Sequence, residues 1–235
     1  MKIWNTFYDC FFAEERYLMY LEGLLNTIII ALGAAAIGFV VGVILTAIRV
    51  VPKRNIIGRL FEKLADLYVT VIRGTPVVLQ LMICYFVIFK SIKSVGDGVP
   101  VACITFGLNS GAYMAEILRS GIRSVEAGQL EAARSLGLPW GVSFLKVVLP
   151  QAIKTATPTI FNEFITLVKE TSVAGYVGIL DLSKIQSYVT TQTMEMFMPL
   201  LIIAVIYLIV VLGLQYIQKL IEKKLGESDR KEAQA

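Results

Sequence analysis

Between Glu22 and Arg49 the chain runs from Gly23 to Ile48 without a single charged side chain. A helix of that length rises far enough to cross the hydrocarbon core of a bilayer with some tilt, and far exceeds what a soluble core needs. A second clean run, Met196 to Gln218, lies near the other end of the chain. Of the 235 residues 56% are hydrophobic and 17% charged, with a mean hydropathy of +0.71. That composition excludes an ordinary soluble domain and predicts an all-α, polytopic membrane protein.

The three segments between the clean runs carry polar groups. The second, from about Leu64 to Phe89, is interrupted by Arg73-Gly74-Thr75-Pro76, where the proline leaves a backbone carbonyl without its helical partner. The third, roughly Val99 to Leu118, carries Asn109, Ser110 and Glu116; the fourth, roughly Thr155 to Val177, carries Asn162, Glu163, Lys169, Glu170, Thr171 and Ser172. These are too many polar groups for lipid-facing helices, so they face one another or a wet cavity. Five transmembrane helices are therefore expected.

Orientation follows from Lys and Arg. Arg49 to Lys63, Arg119 to Lys154 and Lys219 to Lys231 hold fifteen, against five on the opposite side at Lys2, Arg16, Lys90, Lys93 and Lys184. This bias predicts an amino terminus outside and a carboxyl terminus in the cytoplasm. The net charge of +4 follows these connections, which does not suit a nucleic-acid footprint. The chain has no histidine, and Cys10, Cys84 and Cys103 lie far apart, so neither a metal centre, nor another cofactor, nor a disulfide framework is expected.

Residues 1–21 contain no secretory signal core, because Asp9, Glu14, Glu15 and Arg16 interrupt the apolar residues. Trp4, Phe7, Tyr8 and Phe11 recur at helical spacing, which predicts a short helix lying in the membrane interface or packing on the first spanning helix. Residues 22–220 form the transmembrane domain, and residues 221–235 a charged, solvated tail.

Residues 123–154 are the longest stretch expected outside the membrane. Gln129 to Leu136 are good helix formers, Gly137 sits where a left-handed cap places glycine, and Pro139 suits the first turn of a second helix. Glu131-Ala132-Ala133 leaves a charged contact beside a smooth surface that another protein can approach. With Gly137 three residues on and Leu149-Pro150 beyond, the spacing resembles the E-A-A-x3-G-x9-I-x-L-P loop of permease subunits of ATP-binding-cassette importers, with Val147 where that pattern prefers Ile.

RGTPVVLQ, NSGAYMAEILRSGI and KETSVA are similar to the polar amino acid branch of those permeases, the histidine, glutamine, arginine and opine type. The resemblance covers about residues 20 to 220 and implies a type I importer fold in the bacterial cytoplasmic membrane. It also implies two cytoplasmic ATPase subunits, an extracellular solute-binding protein, and a homodimer or a pairing with a similar permease. Glu131, Ala132, Ala133, Gly137, Leu149 and Pro150 would then couple to the ATPase. The chain has no G-x-x-x-x-G-K-[ST] phosphate loop, so it is not expected to be an enzyme; ATP hydrolysis belongs to a partner. A self-sufficient secondary transporter or channel would also place polar residues on inner helices, but no inverted repeat is visible.

At about 1.5 Å per residue, Thr75 lies roughly 17 Å into the second segment, Asn109 roughly 15 Å into the third and Glu163 roughly 12 Å into the fourth, one common level in a core about 30 Å thick. A zwitterionic amino acid needs donors for its carboxylate and an acceptor for its ammonium. Thr75, Asn109 and Ser110 with the backbone at Gly74–Pro76 are the expected donors, and Glu163 the acceptor. Glu116, Lys169, Glu170, Thr171 and Ser172 would flank that level as gate or ion-pair residues. The competing expectation is that these groups bond one another and hold the helices together.

Overall fold

The computed structural model describes residues 2–53, 55–90 and 98–232, and all of its regular elements are helical. Arg54 and Lys93, used above in reading the topology, lie outside the described residues, as does Asp97 in the same connector as Lys93. The order is α1 (Lys2–Phe11), α2 (Arg16–Val50), α3 (Ile56–Gly74), α4 (Val77–Ile83, prolonged by a π turn over Cys84–Ile88), α5 (Val99–Ser124) and α6 (Ala127–Ser135). α7 (Trp140–Ser143) passes through a π turn into α8 (Leu149–Glu170), a 3₁₀ turn spans Thr171–Val177, and α9 (Leu182–Thr193) and α10 (Phe197–Glu232) complete the chain.

Among the described residues α2, α5 and α10 are each long and apolar enough to cross a membrane, and α3 with α4 forms a fourth candidate bent by 105°. α8 is 22 residues long, sufficient in rise for a crossing. Its Lys154, Glu163, Lys169 and Glu170 keep it from standing out by hydropathy.

Three boundaries differ from the sequence reading. α2 begins at Arg16, about two turns before the uncharged run, because the Arg16 guanidinium is buried and donates to the Asp9 carbonyl, the Glu14 carboxylate and Gln192 Oε1. α8 begins at Leu149 and stops at Glu170, so Thr171 and Ser172 belong to the 3₁₀ turn rather than to a spanning helix. α9 was not anticipated. Asp181 caps it, accepting from the backbone N–H of Ser183 and Lys184, and the Leu182 N–H donates to Thr27 Oγ1 on α2.

The centre of the bundle is the contact between α2 and α5. A Cβ on Gly42 would meet Met114 at 2.6 Å, and one on Gly107 would meet Ile37 at 2.6 Å, so each backbone lies directly against its neighbour's side chains. Small residues permit this approach where no hydrophobic effect separates helix from lipid. One apolar cluster, Ile30, Ala34, Leu81, Phe106, Leu167 and Ala174, joins α2, α4, α5, α8 and the 3₁₀ turn. A second joins Cys10, Tyr20, Leu182, Ile185, Val189 and Met198 at the end of the bundle that carries α1 and α9. The stripe of α1 divides: Phe7 and Phe11 pack against that cluster, while Trp4 and Tyr8 point outward, 64% and 52% exposed.

Candidate functional site

The break after α3 sets one edge of the polar interior. Pro76 has no N–H, so the Ile72 carbonyl four residues earlier loses its helical donor. Gln80, one turn into α4, supplies it: Nε2 donates to Ile72 O at 2.8 Å, and also approaches Thr75 O at 3.1 Å and Thr75 Oγ1 at 2.8 Å. The same side chain accepts from Asn109 Nδ2 on α5 at 3.0 Å. Thr75 itself donates to Val71 O at 2.9 Å. Thr75 and Asn109 are thus brought together, but through Gln80, a residue the depth argument missed. Its signal was legible as an amide side chain placed one helical turn after a chain-breaking proline.

The depth count itself needs correction at Thr75. It assumed a straight segment beginning at Leu64, whereas α3 starts at Ile56 and the chain turns at Thr75, the cap residue of that helix. What gathers these groups is the bend and Gln80, not a shared axial level.

Ser110, next to Asn109, faces the other way. Its hydroxyl donates to Glu163 Oε1 on α8 at 2.9 Å, and both residues line a cavity of about 310 Å³ between α2, α5 and α8. The remaining wall is apolar, including Phe39, Met114, Phe161 and Phe164. A carboxylate with one hydroxyl donor in such a wall keeps unused acceptor capacity in a setting where any charge it meets is felt strongly. Glu170 and, more weakly, Arg73 lie within electrostatic reach of it.

Glu116 sits six residues further along α5 and joins three arginines. Its carboxylate pairs with Arg49 of α2 and lies 3.8 Å from both Arg73 and Arg119. Arg49, with a side chain 6% exposed, also pairs with Asp66 of α3 at 2.7 Å, and Arg73 stands 5.2 Å over the Tyr113 ring. Asp66 and Arg49 had no assigned role in the sequence reading. Their only signal was charge at the edges of apolar segments, which a surface pair would share. The other expected gate residues are elsewhere: Lys169 is exposed, Glu170 and Ser172 are half-buried, and buried Thr171 donates to Val168 O at 2.8 Å.

The segment between α5 and α8 folds as helix, turn and helix. Gly137 adopts φ +83°, and its N–H donates to Arg134 O at 3.0 Å, which closes α6 with the left-handed turn that glycine favours. Pro139 caps α7 from outside rather than entering its first turn. Glu131 and Ala132 are exposed, Leu149 is half-buried and Pro150 is exposed in the first turn of α8. Ala133 is 6% exposed and packs inward, so the smooth surface expected of an alanine pair reduces to Ala132 beside Glu131.

Comparison with known proteins gives this architecture a family. Residues 38–227 match the model of the binding-protein-dependent transport system inner membrane component. The arginine transport system permease protein ArtQ of Bacillus subtilis (strain 168) is 39% identical over 209 residues, 89% of this chain and 93% of the relative. The putative glutamine transport system permease protein GlnP of Rickettsia bellii (strain RML369-C) is 38% identical, covering 90% of this chain and 95% of its own. The crystal structure of an amino acid ABC transporter with histidines superposes with a TM-score of 0.81 at 31% identity, over 88% of this chain and 94% of that one. A bent α3–α4 span, a polar α5–α8 seam and a capped helical segment between them therefore belong to a membrane permease: the chain is a member of the binding-protein-dependent transport system inner membrane component family, the membrane subunits of ABC transporters.

Proposed function

We propose that this permease carries a polar amino acid inward across a bacterial cytoplasmic membrane, receiving it from an extracellular solute-binding protein and drawing energy from two cytoplasmic ATPase subunits. Two permease chains, identical or similar, enclose the path. The spans are α2, the bent α3–α4 pair, α5, α8 and α10, with the amino terminus outside and the carboxyl terminus in the cytoplasm. Residues 1–21 are the outer segment, 22–220 the permease domain with its coupling loop at 123–154, and 221–235 the cytoplasmic tail. ATP is hydrolysed in the partner, and Glu131, Ala132, Gly137, Leu149 and Pro150 transmit that work, with Ala133 anchoring α6 from within.

The observation that carries the substrate reading is the Glu163 carboxylate, held by Ser110 in the wall of an apolar cavity, with Arg73 nearby. Such a pair of opposite charges complements a zwitterion, and burial of the substrate between them strengthens both contacts. Thr75 and Asn109 act on this path through Gln80, which fixes the bend. Glu116 at one end, and Lys169, Glu170, Thr171 and Ser172 at the other, flank it as gates. Arginine and glutamine, which the names of two relatives carry, are the first substrates to try.

The test is uptake of labelled L-arginine and L-glutamine by the complex in proteoliposomes. Glu163→Gln is expected to abolish uptake in an assembled complex, and Asn109→Ala to lower it. Wild-type affinity and rate in both variants, with assembly intact, would refute the path. Cysteine labelling tests the topology: positions near Asp97 should react from outside and Ala235 only from the cytoplasm.

A further inference from the structure

A second cavity, of about 350 Å³, lies between the same two helices nearer the coupling segment. Glu116, Ser120 and Ser124 of α5 and Thr155 and Thr159 of α8 line it. Thr159 and Thr155 follow Glu163 by one and two turns toward the start of α8, about 6 and 12 Å along the axis. Gly121 marks where the helices touch: a Cβ there would meet Ala152 O at 2.8 Å and Ala156 Cβ at 2.9 Å. The cavity therefore opens beside a tight crossing and continues the α5–α8 seam that holds Ser110 and Glu163.

The chemistry of its wall is specific. Ser124 Oγ donates its proton to Gly121 O at 2.8 Å, and Thr155 Oγ1 donates to Gln151 O at 3.1 Å. With those protons turned into their own helices, the two oxygens offer the cavity acceptors only. Glu116 adds a carboxylate, and acceptors around a carboxylate suit an ammonium group. Arg73 and Arg119, next to the cavity lining, each stand 3.8 Å from the Glu116 carboxylate, beyond hydrogen-bond length, so their N–H groups can turn to another carboxylate. Arg49 makes the close contact and holds Glu116 in place. The volume falls within the range of small-ligand pockets.

We infer that this cavity is a second, inner amino acid subsite. The ligand's ammonium lies among Ser124, Thr155 and Glu116, and its carboxylate against Arg119. The inference rests on the importer reading above, because it takes the cavity as the next station for a substrate leaving Glu163. Its ion pairs are exchanged rather than created, so the ligand binds there weakly and leaves readily.

Equilibrium dialysis of the assembled permease–ATPase complex, without the binding protein, tests it. The probe is labelled L-arginine or L-glutamine, whichever the complex transports. Wild type is expected to bind two equivalents per permease chain. Thr155→Val with Thr159→Val, which keep shape, and separately Ser120→Ala with Ser124→Ala, should each bind one, with the melting temperature of the empty complex unchanged. Glu163→Gln should also bind one, the inner one, and lose that when combined with the threonine pair. A single wild-type equivalent, or two that survive both hydroxyl variants, would overturn the inner subsite. Two equivalents that fall to one in the hydroxyl variants but stay at two in Glu163→Gln would instead refute the Glu163 site and leave the inner one standing.

Discussion

Replacing Gln80 by Met keeps the length of the side chain and removes all of its hydrogen bonds. The Ile72 carbonyl then keeps only the Thr75 hydroxyl at 3.5 Å, because Pro76 cannot supply a donor, and Asn109 Nδ2, on a residue 3% exposed, loses its acceptor. Thr75 is exposed, so its carbonyl and hydroxyl recover partners from solvent and contribute little. Counting about 1 kcal/mol for each of the two groups, the half-buried Ile72 carbonyl and the buried Asn109 amide, gives a loss of about 2 kcal/mol. At roughly 2–4 °C per kcal/mol for a chain of this length, the melting temperature of the detergent-solubilised permease should fall by about 4–8 °C. A double-mutant cycle isolates the contact: Asn109→Ala should cost about 1 kcal/mol less in the Gln80→Met background than in wild type. If the two losses add to within about 0.3 kcal/mol, or Gln80→Met melts like wild type, Gln80 does not hold the bend.

Three further outcomes follow from the packing. Arg49→Met removes the close partner of Glu116, which keeps Arg73 and Arg119, and of half-exposed Asp66, and should destabilise the permease by about 1–2 kcal/mol in a denaturant titration, with Glu116→Gln milder because Asp66 still pairs Arg49. Gly107→Ala drives a methyl group against the stiff branched Cβ of Ile37 and should lower the melting temperature by an amount equivalent to about 1–3 kcal/mol, whereas Gly213→Ala, which meets nothing within 4 Å, should not lower it. Gly137→Ala finds open space but an unfavourable φ of +83°, a local strain of about 1–2 kcal/mol, and is expected to reduce transport-coupled ATP hydrolysis without changing membrane insertion; Gly128→Ala, equally unobstructed and in ordinary helix, should leave it unchanged.

What the sequence disclosed and what it concealed divide along one physical line. Local rules reached the spans that are apolar in their own right, the break at Pro76 and the left-handed turn at Gly137, since each depends on neighbours within one turn. They missed the 105° of the bend, which is set by how Leu81 of α4 packs with Phe106 and Ala174. They also missed the inward face of Ala133, for which no property of alanine distinguishes positions 132 and 133. The ion cluster was hidden for a similar reason. Arg49, Asp66, Arg73 and Glu116 belong to three helices, and spacing along the chain says nothing about which charges will meet. Ser110 and Glu163 were both marked as polar residues out of place, yet only the crossing of α5 and α8 makes them partners.

The interlock of α2 and α5 restricts how such a protein can change shape. With Met114 seated over Gly42 and Ile37 over Gly107, sliding one helix along the other by a residue would drive side chains into backbone, and rotating either about its axis would do the same. The pair can only travel as one rod. Movement is then left to elements that lean on that rod rather than lie within it: α8, whose Glu163 meets Ser110 beside the cavity shared with α2 and α5, and α3–α4, flexing at a joint that one glutamine side chain spans. A bundle built this way has one rigid wall and leaves its freedom of movement to the opposite one.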